Sequence, residues 1–220
     1  MRTDEAAERL GVSTRRVVQL LRHGGLEGEQ VHRTWLVSVS SVAERELSGS
    51  ARGRPTRPAT ARALVDALST GGVLNPRHAR LIHSRSADDL ARLIVQSRRV
   101  EVFATRDVSL ALPLLALTGE SACDRLVEDP AAVLTGRSHI TAGYPRGVRI
   151  DDLVSDALLV PDPQGSVRLH VFEDGVFPWP ETPIALVAAD AMRSATARVR
   201  DTGRDALTRM MSGWSERDNA

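Results

Sequence analysis

The residues best equipped for chemistry in this 220-residue chain are its arginines. All 29 basic side chains are Arg and none is Lys, for which codon bias is the simplest source. The physical consequence stands regardless. A planar guanidinium fork can grip a phosphate, or the edge of a guanine, in two places at once. Two placements stand out: Arg15-Arg16 within "STRRVVQLLR", and Arg52-Gly53-Arg54-Pro55 within "ARGRPTRPATAR". Arg15 and Arg16 can donate to guanine edges or to phosphates, or can simply form a solvated helix face. The second stretch reads either as a Pro/Gly linker or as an arm that lies along DNA.

Residues suited to catalysis do not assemble into any pattern of that kind. There is no Walker loop, paired Cys cluster, His-Glu-x-x-His or Gly-x-Ser-x-Gly elbow. His78 and His83 are five apart, which does not align on a helix face, and His139 and His170 lack ligand partners at a metal spacing; all read as structural or surface histidines. Glu173 and Asp174 are neighbours that point to opposite faces of a strand and cannot share a magnesium ion. Asp151-Asp152 suit a helix start, and Cys123 suits a small core or half-exposed position. The expectation is no enzyme, no cofactor and no metal.

Composition agrees with a binding protein. Residues 1–62 hold 11 Arg against 7 acids, a net of +4, whereas residues 63–220 hold 18 Arg against 21 acids, a net of −3. A basic front and a mildly acidic back fit a DNA-contacting module joined to a body with a different partner. No apolar run approaches the ~20 residues that span a bilayer. The start "MRTDEAAERL" is too polar for a signal peptide, so the expected location is cytoplasmic, away from membranes. A single cysteine excludes an internal disulfide framework.

These side chains need elements to position them. "TDEAAERLGVSTRRVVQLLRHGGL" predicts two short helices with a tight turn between. Thr3 is the expected cap of the first, Asp4 and Glu5 favour its positive end, and Ala6, Ala7 and Leu10 form its apolar stripe up to Gly11. Ser13 caps the second, which buries Val17, Leu20 and Leu21 before Gly24-Gly25 stops it and Leu26 folds back. "QVHRTWLV" alternates at Val31, Trp35 and Val37 like a small hairpin, with Trp35 its hydrophobic anchor rather than a base-stacking ring. A third helix starts at Ser40 or Ser41 and carries Val42 and Leu47.

The set Thr3, Glu5-Ala6-Ala7, Leu10, Val12-Ser13, Arg16-Val17, Leu20-Leu21, Leu26, Arg33, Trp35 and Val37 resembles the excisionase/MerR-type winged helix-turn-helix. In that family the second helix enters the major groove and the wing leans on the backbone or minor groove. Carried over by position, the resemblance puts Thr14, Arg15, Arg16 and Gln19 on the exposed face of the recognition helix. It puts Arg33 at a wing position that commonly meets phosphate. Arg52-Gly53-Arg54-Pro55 also resembles the centre of an AT-hook, which makes Arg52 and Arg54 candidates for minor-groove or general phosphate contact.

Further on, "ATARALVDAL", "NPRHARLIH" and "SADDLARLIVQS" read as helices, the last capped by Ser86. "RVEVFAT" reads as a strand, and "DALLVPDPQGSVRLHVFE" as two strands around Pro161-Asp162-Pro163-Gln164-Gly165. "IALVAADAMRS" and "ATARVRDTGRDALTRMM" read as closing helices, with Val199, Ala206 and Met210 on one side. "GVFPWPETP" is an extended loop over the sheet or, through Phe177 and Trp179, an anchor for a partner protein. The expected organisation is a DNA-binding domain at 1–49, a linker at 50–58, a body at 59–213 and a flexible tail at 214–220. The fold class is α+β, a winged helix-turn-helix followed by a mixed helical domain with a small sheet.

The body resembles AbiEi-like antitoxins of type IV toxin–antitoxin systems. The carrying residues are Gly53-Arg54-Pro55, Ala63-Leu64, Arg85 to Leu93, Asp156 to Leu159, Gly165 to Leu169 and Val187 to Asp190. This implies autoregulation of an operon and neutralisation of a nucleotidyltransferase-like toxin. The expected function is a sequence-specific DNA-binding regulator of the antitoxin type. Its partners are double-stranded DNA, a toxin protein and, as a homodimer, a second copy. Two alternatives remain: a one-component regulator whose body binds a small ligand, and an excisionase-like recombination or architectural factor.

Overall fold

The structure is a computed structural model, and it describes residues 1–22, 26, 28–31, 34–38, 41–42, 45, 56–128, 140–194 and 196–218. The chain divides into two compact units, Met1–Arg54 and Pro55–Ala220. Helix and sheet are mixed, giving an α+β chain.

The first unit packs α1 (Thr3–Leu10) and α2 (Thr14–Arg22) beside the antiparallel hairpin β1 (Gly28–Val31) and β2 (Thr34–Val37). Its core is Ala6, Ala7, Val17, Leu20, Leu21, Leu26, Val37 and Val42, with Trp35 packed half-buried against it. Gly11 ends α1 in the left-handed region (φ 61), where a residue without Cβ costs least. Thr3 does not cap α1. Arg2 holds that position in extended conformation, bridged to Leu36, and its backbone N–H donates to the Glu5 carboxylate at 3.0 Å. Met1 and Val37 exchange backbone hydrogen bonds at 2.8 Å each, so the first residues are tied to the edge of the two-stranded hairpin by an isolated antiparallel bridge.

The second unit opens with α3 (Pro58–Thr70), α4 (Pro76–Ser84) and α5 (Ala87–Val95). Proline at the first helical position suits α3 and α4, and Asn75 and Ser86 accept backbone N–H groups as caps. The sheet follows, with β3 (Arg98–Ala104), β4 (Leu115–Leu117), β5 (Thr141–Pro145), β6 (Val160–Pro161) and β7 (Val167–Phe172) in the order β4-β5-β7-β3-β6. All neighbours are antiparallel except β5 and β7. The turn at 161–165 does not join a hairpin. β6 and β7 lie on opposite sides of β3, and a Cβ on Gly165 would stand 2.0 Å from the Phe103 carbonyl, so only glycine lets the turn cross β3 that closely.

Two cores use the two faces of this sheet. Val167 and Leu169 join Phe103, Leu115 and the short helix α6 (Ile150–Asp156) through Leu153. Phe172 and Tyr144 instead join the helices, among them α7 (Ile184–Ala191) and α8 (Ala197–Asp218). α7 is buried from Ala185 through Ala191, and a Cβ on Gly203 of α8 would lie 2.7 Å from the Ala188 carbonyl, which brings the two helices into close contact. α8 runs on into the stretch read as a flexible tail. Trp214 is 2 % exposed and its indole N–H donates to the Gly72 carbonyl at 2.9 Å, which anchors the helix end.

Candidate nucleic-acid interface

In the first unit, α2 presents a polar face made from the residues its core positions leave over. Val17, Leu20 and Leu21 are buried; Thr14, Arg15, Arg16, Gln19 and Arg22 are exposed. Ser13 starts the helix, its carbonyl accepting from the N–H groups of Arg16 (2.8 Å) and Val17 (3.1 Å). Its hydroxyl oxygen accepts from Arg16 N–H at 3.3 Å. The Arg16 guanidinium donates to the Gln19 side-chain oxygen at 2.7 Å, which ties two candidate contact residues into one unit on the helix face.

Electrostatics distinguish α2 from α1. The first turn of α1 carries Asp4 and Glu5, as the positive end of a helix dipole prefers. The first turn of α2 carries no acid, and Arg15 and Arg16 add positive charge at its positive end. That placement costs the isolated helix stability and draws anions. Arg45 adds to it. Burial and the neighbouring Arg16 charge both hold its guanidinium below the usual arginine range, so the two cations act on each other through space. Sequence reading missed Arg45; the helix carrying it was legible, but its approach to Arg16 depends on the tertiary fold. Arg33, Arg52 and Arg54, the other candidate DNA contacts, lie outside the described residues.

The hairpin's register places Glu29 opposite Leu36 and Gln30 opposite Trp35. Glu29 and Leu36 are exposed, and neither can grip a phosphate. Phe177 and Trp179, in the second unit, are half-buried and engaged within it. Phe177 stacks on Tyr144 with ring centroids 4.8 Å apart, and Trp179 donates its indole N–H to Asp66 at 2.6 Å.

The second unit holds a buried polar cluster that sequence reading did not assemble. Asp190, on the otherwise apolar α7, is 5 % exposed. Its carboxylate accepts from Arg98, from the Thr118 hydroxyl at 2.7 Å and from the Tyr144 hydroxyl at 3.1 Å. His170 Nδ1 stands 3.4 Å from the same carboxylate, an electrostatic contact rather than a short hydrogen bond. Burial raises the Asp190 pKa, but Arg98 and His170 outweigh it and hold the group well below the usual carboxylate range. Burial, then the Arg98 charge, push His170 down to about 4, so at neutral pH it is an uncharged imidazole. Burial likewise drives the Tyr144 hydroxyl well above 10 and keeps it a donor. An aspartate inside "IALVAADA" was the one available sequence signal, since a charge in an apolar helix requires partners.

This cluster gives the fold an acid limit. Between pH about 6.5 and about 4 the unfolded chain binds a proton on His170 that the folded chain does not, so stability falls as pH drops through that window. The expected loss is on the order of 1–3 kcal/mol. Protonation of Asp190, whose folded pKa is depressed, extends the loss to lower pH with the same sign. Urea unfolding at pH 7, 5.5 and 4.5 checks it, and His170→Gln should flatten the dependence between 6.5 and 4.5. An equal slope in that variant would assign the titration to other groups.

Among the described residues no group of His, Cys, Asp and Glu could hold a metal ion. No helix there is long and apolar enough to cross a membrane. The chain matches no family model, no curated protein and no solved structure.

Proposed function

We propose that the chain is a sequence-specific DNA-binding regulator whose first unit is a winged helix-turn-helix with α2 as its recognition helix. One observation carries this reading: an exposed face of Thr14, Arg15, Arg16 and Gln19 at a helix start without acids, reinforced by Arg45. Arg15 and Arg16 are the side chains that read guanine edges or grip phosphate, with Thr14 and Gln19 completing the contact face. We assign the chain no reaction of its own.

Within this reading the second unit is the antitoxin-like part, which neutralises a nucleotidyltransferase-type toxin while the first unit represses the shared operon. Support comes from the resemblance of its sequence to AbiEi-like antitoxins. Two measurements test the pairing. The DNA upstream of the chain's own gene should shift with the purified protein, and co-expression with an adjacent nucleotidyltransferase-like reading frame should restore growth. Growth arrest that persists on co-expression removes the antitoxin role and leaves the DNA-binding role standing.

A ligand-responsive regulator is the second reading, favoured by a groove of about 710 Å³ in the second unit. Arg99, Arg149, His170, Phe172 and Phe177 contribute to its walls, combining cationic and aromatic groups.

A further inference from the structure

His170 holds an acceptor that the fold leaves unmet. The residue is 7 % exposed, and the part of it that stays open contributes to the wall of the groove of about 710 Å³. Its Nδ1 is fully enclosed, makes no hydrogen bond and stands 3.4 Å from the Asp190 carboxylate. A lone pair there would face a negative charge, so the neutral ring carries its proton on Nδ1 and keeps its lone pair on Nε2. Nε2 has no hydrogen-bonding partner among the described residues, and it is not enclosed as Nδ1 is. Asp190 is itself fixed by Arg98 and by the Thr118 and Tyr144 hydroxyls, which holds the imidazole in this orientation.

The groove has a cause in the strands. β5 and β7 run parallel, and their ladder ends at Gly143 opposite Leu169. Thr141 turns its N–H onto the Ser166 carbonyl at 2.7 Å, and the same alternation brings round Pro145, which has no N–H to give. The groove lies past that point, with Pro145, Val171 and Phe172 in its wall. A crevice at the carboxyl ends of parallel strands is also where open α/β sheets bind ligands. Four charged residues line it, two of each sign. Arg99 donates to Glu101 at 2.7 Å, and Arg149 stands 3.9 Å from Asp151.

We infer that this groove binds an uncharged, planar aromatic molecule whose N–H or O–H donates to His170 Nε2. Charges that cancel in pairs favour neither an anion nor a cation. Phe177 and the aliphatic side chains of Val148 and Val176 offer apolar surface to a ring. The unmet acceptor then selects among rings, because a ligand without a donor would cover Nε2 and leave it buried and unsatisfied. The inference rests on the reading of the groove as a ligand site and is independent of DNA binding by α2.

The test is a ligand-observed NMR titration of the full chain with indole, which has the donor, and N-methylindole, which lacks it. Indole should bind saturably and N-methylindole at least about tenfold more weakly. His170→Phe should erase that difference, and Val176→Trp, at an exposed wall position, should weaken both. Indole-3-carboxylate, which keeps the donor and adds a charge, should bind no better than indole. Absence of saturable indole binding, equal affinity for the two indoles, a preference that survives in His170→Phe, or tighter binding of the carboxylate overturns the inference. If His170→Phe does not fold, undiminished binding by Val176→Trp overturns it instead. Saturable binding that leaves operator affinity unchanged supports the site and removes only the ligand-responsive regulator reading.

Discussion

Asparagine in place of Asp190 is expected to destabilise the second unit by about 3–5 kcal/mol, because it removes the carboxylate charge that pairs with the buried Arg98 guanidinium. The Arg98 side chain is 2 % exposed and that of Asp190 is fully enclosed, so water cannot substitute for the lost charge. Asparagine preserves the shape and can still accept from the Thr118 and Tyr144 hydroxyls, which isolates the charge as the cause. The pair is not thereby a net source of stability, since desolvating both ions costs about what their attraction returns. Arg98→Met combined with Asp190→Leu should recover only part of the loss, because leucine takes the acceptor away from the buried Thr118 and Tyr144 hydroxyls. Urea unfolding followed by the fluorescence of Trp179 and Trp214, both in this unit, measures each variant. A change below about 1 kcal/mol in Asp190→Asn would show that the charge is solvated in the folded state.

The second large effect concerns binding without stability. Arg15→Ala with Arg16→Ala should weaken operator binding by roughly 2–4 kcal/mol, or about 30- to 1,000-fold in Kd. Both side chains are exposed and neither is a member of the first unit's core. Their removal also takes positive charge away from the positive end of α2, which favours the helix by about 0.3–1 kcal/mol per charge at low salt. The double variant is thus expected to unfold no earlier than the wild type while losing its affinity. A parallel loss of both would mean that the arginines hold the helix in place rather than face a ligand.

What the sequence made legible was mostly local. Ser13, Gly11 and the spacing of Val17, Leu20 and Leu21 define α2 and its buried side, so the opposite face follows without further information. Ser86 and Asn75 mark the starts of α5 and α4 for the same reason. Elements whose pairing is distant were not legible. β4 is three residues long, and β5 reads "TAGYP", with a glycine and a proline that obscure any alternation. β6 has two residues and gains strand character only from β3 beside it.

Asp190 makes the same point for chemistry. Its carboxylate is served by groups from β3, β5, β7 and the residue after β4, a meeting that no sequence spacing encodes. The stretch "WSERDNA" at 214–220 is the expected flexible tail, yet α8 continues through it to Asp218. Trp214 found its partners across 142 residues, at Gly72. Arg45 belongs with these, since its relation to Arg16, distant in the sequence, arises only on folding.

The most direct measurement of the central claim is enrichment of duplexes from a random pool by the full chain and by the Arg15→Ala, Arg16→Ala variant. The wild-type chain should enrich a defined motif, and the variant should recover none. No motif from the wild type, or the same motif from both proteins, would contradict the assignment of α2 as the helix that reads DNA.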